Sequence, residues 1–550
     1  MTSRSLGHRA PLLWLVLPLM AGLAIGRSGD LAPAPWLLGG AFLAAAGAIL
    51  AGWRDHRAWA PLLVAAMMLA GAASYALHRP RLAVWDRLPP REARVTLRID
   101  RMFGQADAGK ASGLATITRT DEHLRELAGQ HVYFSLQLRP GEAAPVRSAH
   151  VAAVGVLATL PRTPPADTFD GYLAGAGMNY RLTRGRVLAE ERAADGYHRF
   201  CARMAERFGR ILGEGVADKR PELTAVLRAM LLGQQNELSD EQGTRFRQSG
   251  TMHIFSISGL HIAVIAGGLH ALLALLRLPR WIRFIAGLTA LWLYVDITGT
   301  APSAVRAFVM VALVESSLVL RLPGNPFAAL TASALLVLAV APLQIFSASF
   351  QMSYGIVAAL LLFGLPLGER WTSAWAPFRD RPKATWSWIH HAGDWLWRAT
   401  AGALAIGLAA SLVSAISGIL FFKLVTPGAL LANLVFIPAA SLVILAGFAS
   451  LLCGLAGFAA GAVLMNHAAA TLLWGIDAGV RAFVAVPAMW FPASFAAPWV
   501  GTLALVGLLA AMLAGYARGW RGWQRGYWTP FAVVALALAA GVSWTGDSAP

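Results

Sequence analysis

The sequence predicts a polytopic α-helical membrane protein of about 12–13 transmembrane helices, with a small all-β, OB-like domain inserted outside the bilayer. Three observations carry this. Of 550 residues, 57% are hydrophobic and only 14% charged, and the mean hydropathy is +0.56, a balance foreign to a soluble chain of this length. Apolar runs long enough to cross ~30 Å of hydrocarbon recur along the chain. The polar remainder gathers in one block of short alternating segments between the third and fourth runs.

The runs fall near 11–26, 35–53, 58–77, 255–276, 284–300, 303–320, 327–342, 349–367, 399–422, 428–453, 497–516 and 529–545. A further stretch, 456–487, is interrupted by Asn466, His467, Asp477 and Arg481. Two more runs follow the first at once, with no small-residue cleavage site between, so it reads as an uncleaved helix. Arg4 and Arg9 precede it, and Arg54 and Arg57 separate the second and third runs, whereas the first loop holds Arg27 offset by Asp30. The positive-inside rule then puts the N-terminus in the cytoplasm and the third exit outside. Arg277, Arg280, Arg283, Arg321, Arg370, Arg379, Arg381, Lys383, Arg398, Arg518, Arg521 and Arg525 all fall inside, provided that 456–487 crosses once. The net charge of +17 is thus mostly loop arginine, a topology signal before a nucleic-acid one.

The polar block lies over 90–195. Period-two alternation is clearest at His131–Leu138, where Val132, Phe134, Leu136 and Leu138 share a face. Similar runs at Ala93–Ile99, Gly113–Thr118, His150–Leu157 and Tyr180–Leu188 are separated by Gly/Pro/Asp clusters, the pattern of a small barrel or sandwich. An OB-like barrel often binds single strands through a basic, aromatic-bearing face. Residues 90–199 hold 15 Lys/Arg against 12 Asp/Glu, so a plain structural β-domain fits as well. Next, Tyr197–Leu232 is helical by period, with Arg199, Arg203, Arg207 and Arg210 on one side and Phe200, Met204, Phe208 and Ile211 on another. A helix lying on a membrane surface and one packed on the β-domain both account for it. The expected organisation is therefore 1–80 N-terminal transmembrane helices, 90–195 external β-domain, 197–248 connecting helices, 249–520 main membrane domain, and 521–550 last helix and tail.

Two cysteines, Cys201 and Cys453, exclude a disulfide framework or a cysteine metal site. No Gly-x-x-x-x-Gly-Lys-[Ser/Thr] loop occurs, so ATP hydrolysis by that route is excluded. The informative stretch is Gly250-Thr-Met-His-Ile-Phe-Ser-Ile-Ser-Gly-Leu-His261, which places two histidines, serines and a glycine where a membrane helix should be uniformly apolar. Unpaired polar groups there cost several kcal/mol each, so they pack on polar neighbours or line a wet path. Ser256, Ser258 and Gly259 can break the helix between His253 and His261, as in discontinuous helices that line cavities. Alternatively, the serines bond back to the preceding turn and Gly259 lets helices approach closely. Asp296 and Arg306 flank a turn and can meet as an ion pair, or Arg306 can contact phosphate; Glu315 points elsewhere. Gln351, Ser353 and Asn433 complete a neutral polar set.

Several ordered motifs resemble the ComEC competence-protein family. They are Ala229-Met-Leu-Leu-Gly233, Phe246-Arg-Gln-Ser-Gly-Thr-Met-His-Ile-Phe-Ser-Ile-Ser-Gly-Leu-His261, Thr298-Gly-Thr-Ala-Pro-Ser-Ala-Val-Arg-Ala307, Ser349-Phe-Gln-Met-Ser-Tyr354 and Leu431-Ala-Asn-Leu-Val-Phe-Ile-Pro438. Upstream, Thr168–Gly177 is similar to the end of the family's external domain. The resemblance implies an inner-membrane channel that passes single-stranded DNA into the cytoplasm during natural transformation. It also implies an external DNA receptor and a separate cytoplasmic ATP-driven motor as partners, besides membrane lipids.

Many family members carry a metallo-β-lactamase-like domain with a His-x-His-x-Asp-His motif. None of the thirteen histidines here forms one, so this is expected to be a short form, with any strand degradation left to a separate nuclease. No cofactor, metal or enzymatic activity is expected. Histidine, serine, amide and backbone groups suit conduction, which needs sites weak enough to leave. The competing classes are a small-solute secondary transporter, which predicts an inverted repeat not seen here, and a membrane-embedded hydrolase using Ser258 and His261, an i,i+3 pair.

Overall fold

The computed structural model describes residues 10–29, 31–79, 88–104, 109–140, 142–165, 167–322, 324–520 and 527–543. Arg4, Arg9, Asp30, Arg521 and Arg525 of the charge count lie outside the described residues. Three helices open the chain: α1 (Leu13–Ser28), α2 (Ala34–Trp53) and α3 (Trp59–His78). Gly22 and Gly71 let α1 and α3 touch backbone to backbone. A Cβ on Gly22 would stand 2.0 Å from the Met68 carbonyl oxygen, and one on Gly71 2.3 Å from that of Leu19.

Five strands follow: β1 (Arg91–Met102), β2 (Lys110–Thr120), β3 (His131–Gln137), β4 (His150–Thr159) and β5 (Tyr180–Arg192). They close into a barrel in the order β1-β2-β3-β5-β4, with β3 and β5 parallel and every other pair antiparallel. Alternation decides the interior. Val132, Phe134 and Leu136 are each 0% exposed and pack with Leu97, Ile117, Val151 and Leu182. A short helix, α4 (Phe169–Gly175), lies between β4 and β5, capped by Thr168.

The stretch expected to be helical over 197–232 consists of two helices. An amphipathic α5 (Gly196–Gly213) and α6 (Pro221–Leu232) are joined by a charged turn, and Pro221 at the start of α6 explains the break. Packing of α5 on the β-domain, one of the two expected placements, does not hold for its apolar face. Phe208, Ile211 and Leu212 pack in one core with Val443, Leu451 and Leu473 of the later helices, so the apolar face of α5 lies on those helices rather than on the barrel.

After α7 (Asp240–Gln248) the main helices are α8 (Gly259–Leu275), α9 (Arg280–Ile297), α10 (Pro302–Val319), α11 (Pro326–Val340), α12 (Ala348–Ala359) and α13 (Leu365–Ala374). A π-turn at Leu360–Gly364 joins α12 to α13. Then come α14 (Trp388–Phe422), α15 (Ala429–Leu455), α16 (Ala459–Val484), α17 (Pro498–Ala517) and α18 (Thr529–Gly541). Among the described residues, nine helices are long and apolar enough to cross a membrane. The interrupted stretch 456–487 is one unbroken helix, because Asp477 pairs with Arg481 one turn on, at 3.1 Å, and Asn466 is buried in a protein contact. The run expected from 255 begins as a helix only at Gly259.

Polar ties hold the barrel to the ends of three of these helices. Arg79, at the end of α3, donates to the Arg162 carbonyl at 3.1 Å and to Asn179 at 3.3 Å. Arg147 pairs with Asp296 near the end of α9, and Lys423, just past α14, pairs with Asp167 at 2.8 Å. The Lys423 ammonium holds the Asp167 carboxyl below its usual range. If each helix crosses once, these ends must share a side, and all three reach the same barrel.

Candidate functional site

The site is built around the break before α8. Gly250 follows α7 at φ +71°, and a Cβ there would meet the Ala429 Cβ at 2.8 Å, so the turn needs glycine twice over. Ser249 and Thr251, both 0% exposed, bond hydroxyl to hydroxyl at 2.6 Å. A single 3₁₀ turn, Met252–Ile254, then positions Phe255 to stack on Phe246, with ring centroids 3.6 Å apart. The chain bends at Phe255 and Ser256 and is extended at Ser258. Ser303 of α10 donates its hydroxyl to the Ile257 carbonyl at 2.6 Å, satisfying a backbone group that a continuous helix would have used.

His261 restarts the helix. Its Nδ1 accepts from the Ser258 backbone N–H at 3.3 Å and meets the Ser258 hydroxyl at 3.0 Å, a capping box with imidazole in place of the usual carboxamide. An accepting Nδ1 leaves the proton on Nε2. That Nε2 is buried without a well-formed hydrogen bond, in a side chain that is 0% exposed. The broken-helix alternative is therefore the one the chain adopts. His261 holds the break rather than facing a lumen, while His253 and Gly259 keep accessible surface. Close helix packing at Gly259 is overturned, since a Cβ there would meet only the Ala307 Cβ, at 3.9 Å.

Asp296 and Arg306 do not pair. Asp296 is taken by Arg147, from a loop some 150 positions upstream that local spacing cannot reveal. Arg306 is 1% exposed and donates only to neutral groups: to the Gln344 amide oxygen at 3.1 Å, and to the Ser349 carbonyl and hydroxyl at 2.8 and 2.6 Å. Among the described residues it has no carboxylate partner. Glu315 instead lies 3.9 Å from His270. Gln351 is occupied by the Ile345 carbonyl at 3.0 Å, and Ser353 and Asn433 are half-buried, the Asn433 amide oxygen without a partner. Ser256 is half-buried beside the break.

Gln344 and Ser349, which hold Arg306, also floor a cleft of about 350 Å³ whose other wall is the barrel, through Arg101, His131 and Tyr172. Around that wall, Phe103 stacks on Tyr133 at 6.2 Å and Phe169 on Tyr172 at 6.0 Å, and Phe169 is half exposed. Arg101 lies over the Phe103 ring at 5.7 Å. His131 is linked through Thr116 to Asp100, and burial pushes its imidazole below the usual value, only partly offset by that carboxylate. Sequence reasoning missed Ser303, Gln344 and Ser349. Ser303 and Ser349 stood in the quoted motifs, and their polarity beside an intramembrane arginine was the available signal.

The Competence protein family model matches residues 230–518, more than half of the chain. ComE operon protein 3 of Bacillus subtilis (strain 168) is 30% identical over 142 residues, 26% of this chain and 18% of that protein. The match thus spans under a fifth of the relative's length. No solved structure matches. The match begins inside α6 and ends just past α17, so it takes in the broken helix, Arg306 and its partners, and on that extent the chain belongs to the competence protein family.

Proposed function

We propose that this chain takes up DNA in competence, as an inner-membrane channel that passes single-stranded DNA into the cytoplasm during natural transformation. The observation that carries the reading is Arg306, a buried guanidinium held only by neutral groups beneath the cleft between barrel and helices. A buried cation without a carboxylate costs several kcal/mol and is poised for an anion. The barrel, read as OB-like from its strand order and parallel β3–β5 closure, offers the strand an aromatic and basic rim above that charge. The N-terminus is taken as cytoplasmic and the barrel as external, and 249–520 as the channel domain, with His253, Ser256, Ser258, Gly259, His261, Asp296, Arg306, Gln351, Ser353 and Asn433 along or beside the path. An external DNA receptor, a separate cytoplasmic motor and a separate nuclease complete the machinery.

The hydrolase alternative is disfavoured. Ser258 and His261 do touch, but as a helix cap, with His261 fully enclosed and, among the described residues, no carboxylate on its Nε2. The test is uptake of labelled duplex by a naturally competent host deleted for this gene. Surface-bound label should persist and label inside the cytoplasm disappear, with the wild-type gene restoring it. Unchanged entry after deletion would refute the reading.

A further inference from the structure

Helix α5 carries Arg199, Arg203, Arg207 and Arg210, all exposed, and none forms an ion pair among the described residues. At 100° per residue the four fall within about 80° of one another, with Glu206 beside them, so the face keeps a surplus of three positive charges. The opposite face, Cys201, Phe208, Ile211 and Leu212, is buried in the main core. What makes this unusual is where the helix runs.

At its start, the Tyr197 hydroxyl lies against Asp296, at the barrel end of α9. At its finish, the Ile211 carbonyl accepts from Asn466 at 2.7 Å, and Ile211 fills the groove that Gly454 leaves open. Gly454 is one residue from the end of α15, whose start lies beside Gly250. Counting crossings from α9, that end of α15 lies on the side away from the barrel. The charged turn Asp218-Lys219-Arg220 follows, and α6 returns so that the Leu231 carbonyl accepts from Tyr294 near the barrel end of α9. The pair α5–α6 is therefore a hairpin dipping through the membrane thickness, with an arginine row on its uncovered side.

Arginines do not face lipid at that depth; they face water or an anion. We infer that this arginine face is the wall along which the DNA phosphates move across the membrane, an inference that rests on the channel reading above. The chemistry fits a polyanion better than a small solute. Successive arginines step ~4.5–6 Å along the axis, and the row covers ~16 Å of a ~30 Å layer. Equivalent exposed sites in series let a chain pass from one to the next without a deep trap. Phe200, 39% exposed, sits next to Arg203 and Arg207 around the helix and gives a base a stacking surface.

The test uses the full chain in membranes, with Cys201→Ala and Cys453→Ala as background. Cysteines replacing Arg199 or Arg210 are probed with a charged, impermeant thiol reagent. Arg199→Cys should react from outside in intact cells and Arg210→Cys from the cytoplasmic side in inverted vesicles, both more slowly when a single-stranded oligonucleotide is present. Leu503→Cys, on an exposed apolar position, should react only with a lipid-soluble reagent. Arg203→Gln with Arg207→Gln should lower uptake at least tenfold at unchanged abundance, and lysine at both positions should restore most of it. Labelling of both cysteines from one side without oligonucleotide protection, as for a helix flat on the membrane, would overturn the inference. So would normal uptake in the double glutamine variant where gene deletion abolishes uptake. If deletion itself leaves uptake intact, the channel reading fails instead, and the two-sided labelling pattern still reports where α5 runs.

Discussion

Replacing Arg306 by methionine separates its structural from its functional weight. The side chain makes three charge-assisted hydrogen bonds, to Gln344 and twice to Ser349, at 2.6–3.1 Å. Each is worth ~1.5–3 kcal/mol in place. Against this stands the cost of keeping a guanidinium 1% exposed with no counter-charge, several kcal/mol. The two nearly cancel. Methionine fills much of the same volume, and Gln344 and Ser349 border the cleft, where water can replace the lost donor. Arg306→Met should therefore fold within ~2 kcal/mol of wild type.

Uptake should respond differently. A phosphate seated on Gln344 and Ser349 stands about two hydrogen-bond lengths from the guanidinium, ~6 Å. At an effective dielectric near 20 the attraction is ~3 kcal/mol, roughly a hundredfold in occupancy. The assay is labelled-DNA uptake beside membrane abundance and a detergent melting curve, with Arg306→Lys expected to fall between. A variant that loses abundance in step with uptake would make Arg306 a packing group. A stable, abundant variant with normal uptake would remove it from the path.

His261→Leu should insert normally but lower uptake, because Ser258 loses the acceptor that restarts the helix, whereas His261→Gln should keep the capping box and most activity; uptake at matched abundance decides. Gly250→Ala should cost roughly 2–4 kcal/mol in thermal stability, from a left-handed backbone plus the 2.8 Å approach of Ala429, while Gly259→Ala should be silent. Asp195, which caps α5 and is held at about 2 by the His198 backbone N–H and imidazole, has a folded pKa below the ordinary 3.8. Its contribution is therefore full above about pH 4 and lost as pH falls toward 2, and Asp195→Asn should flatten that part of the acid-unfolding profile. Cysteines at Gln137 and Arg381 should label from outside and inside respectively, and labelling of both from one side would refute the crossing count.

Much of the architecture was legible because it is written in local period. Hydropathy locates the long helices, and alternation at Val132, Phe134 and Leu136 locates a barrel strand. Turn clusters separate the strands in the right order. The break at Ser256–Gly259 was readable too, since polar groups in an apolar run have few other uses. What local pattern cannot carry is the identity of a distant neighbour. Asp296 and Arg306 flank one turn, so proximity in sequence offered an ion pair, yet Arg147 reaches Asp296 from the barrel and leaves Arg306 to neutral partners.

The same limit explains α5. Its period reports two faces correctly, but an amphipathic helix is compatible with a membrane surface, a soluble neighbour or a wet interior, and only packing decides among them. The contacts that hold its far end are Asn466 on the Ile211 carbonyl and Ile211 in the groove at Gly454, some 250 positions away. Asn466 had looked like an interruption of its own helix; it is the residue that ties the hairpin down. Polar residues inside these helices thus serve two opposite purposes. Asn466 and Tyr294 find protein partners on other helices and fix them against one another, and Asp477 pairs within its own helix, whereas among the described residues Arg306 and the α5 arginines are left with neutral partners or none. It is the second group, defined by the lack of a counter-charge rather than by polarity, that an anionic strand is suited to meet.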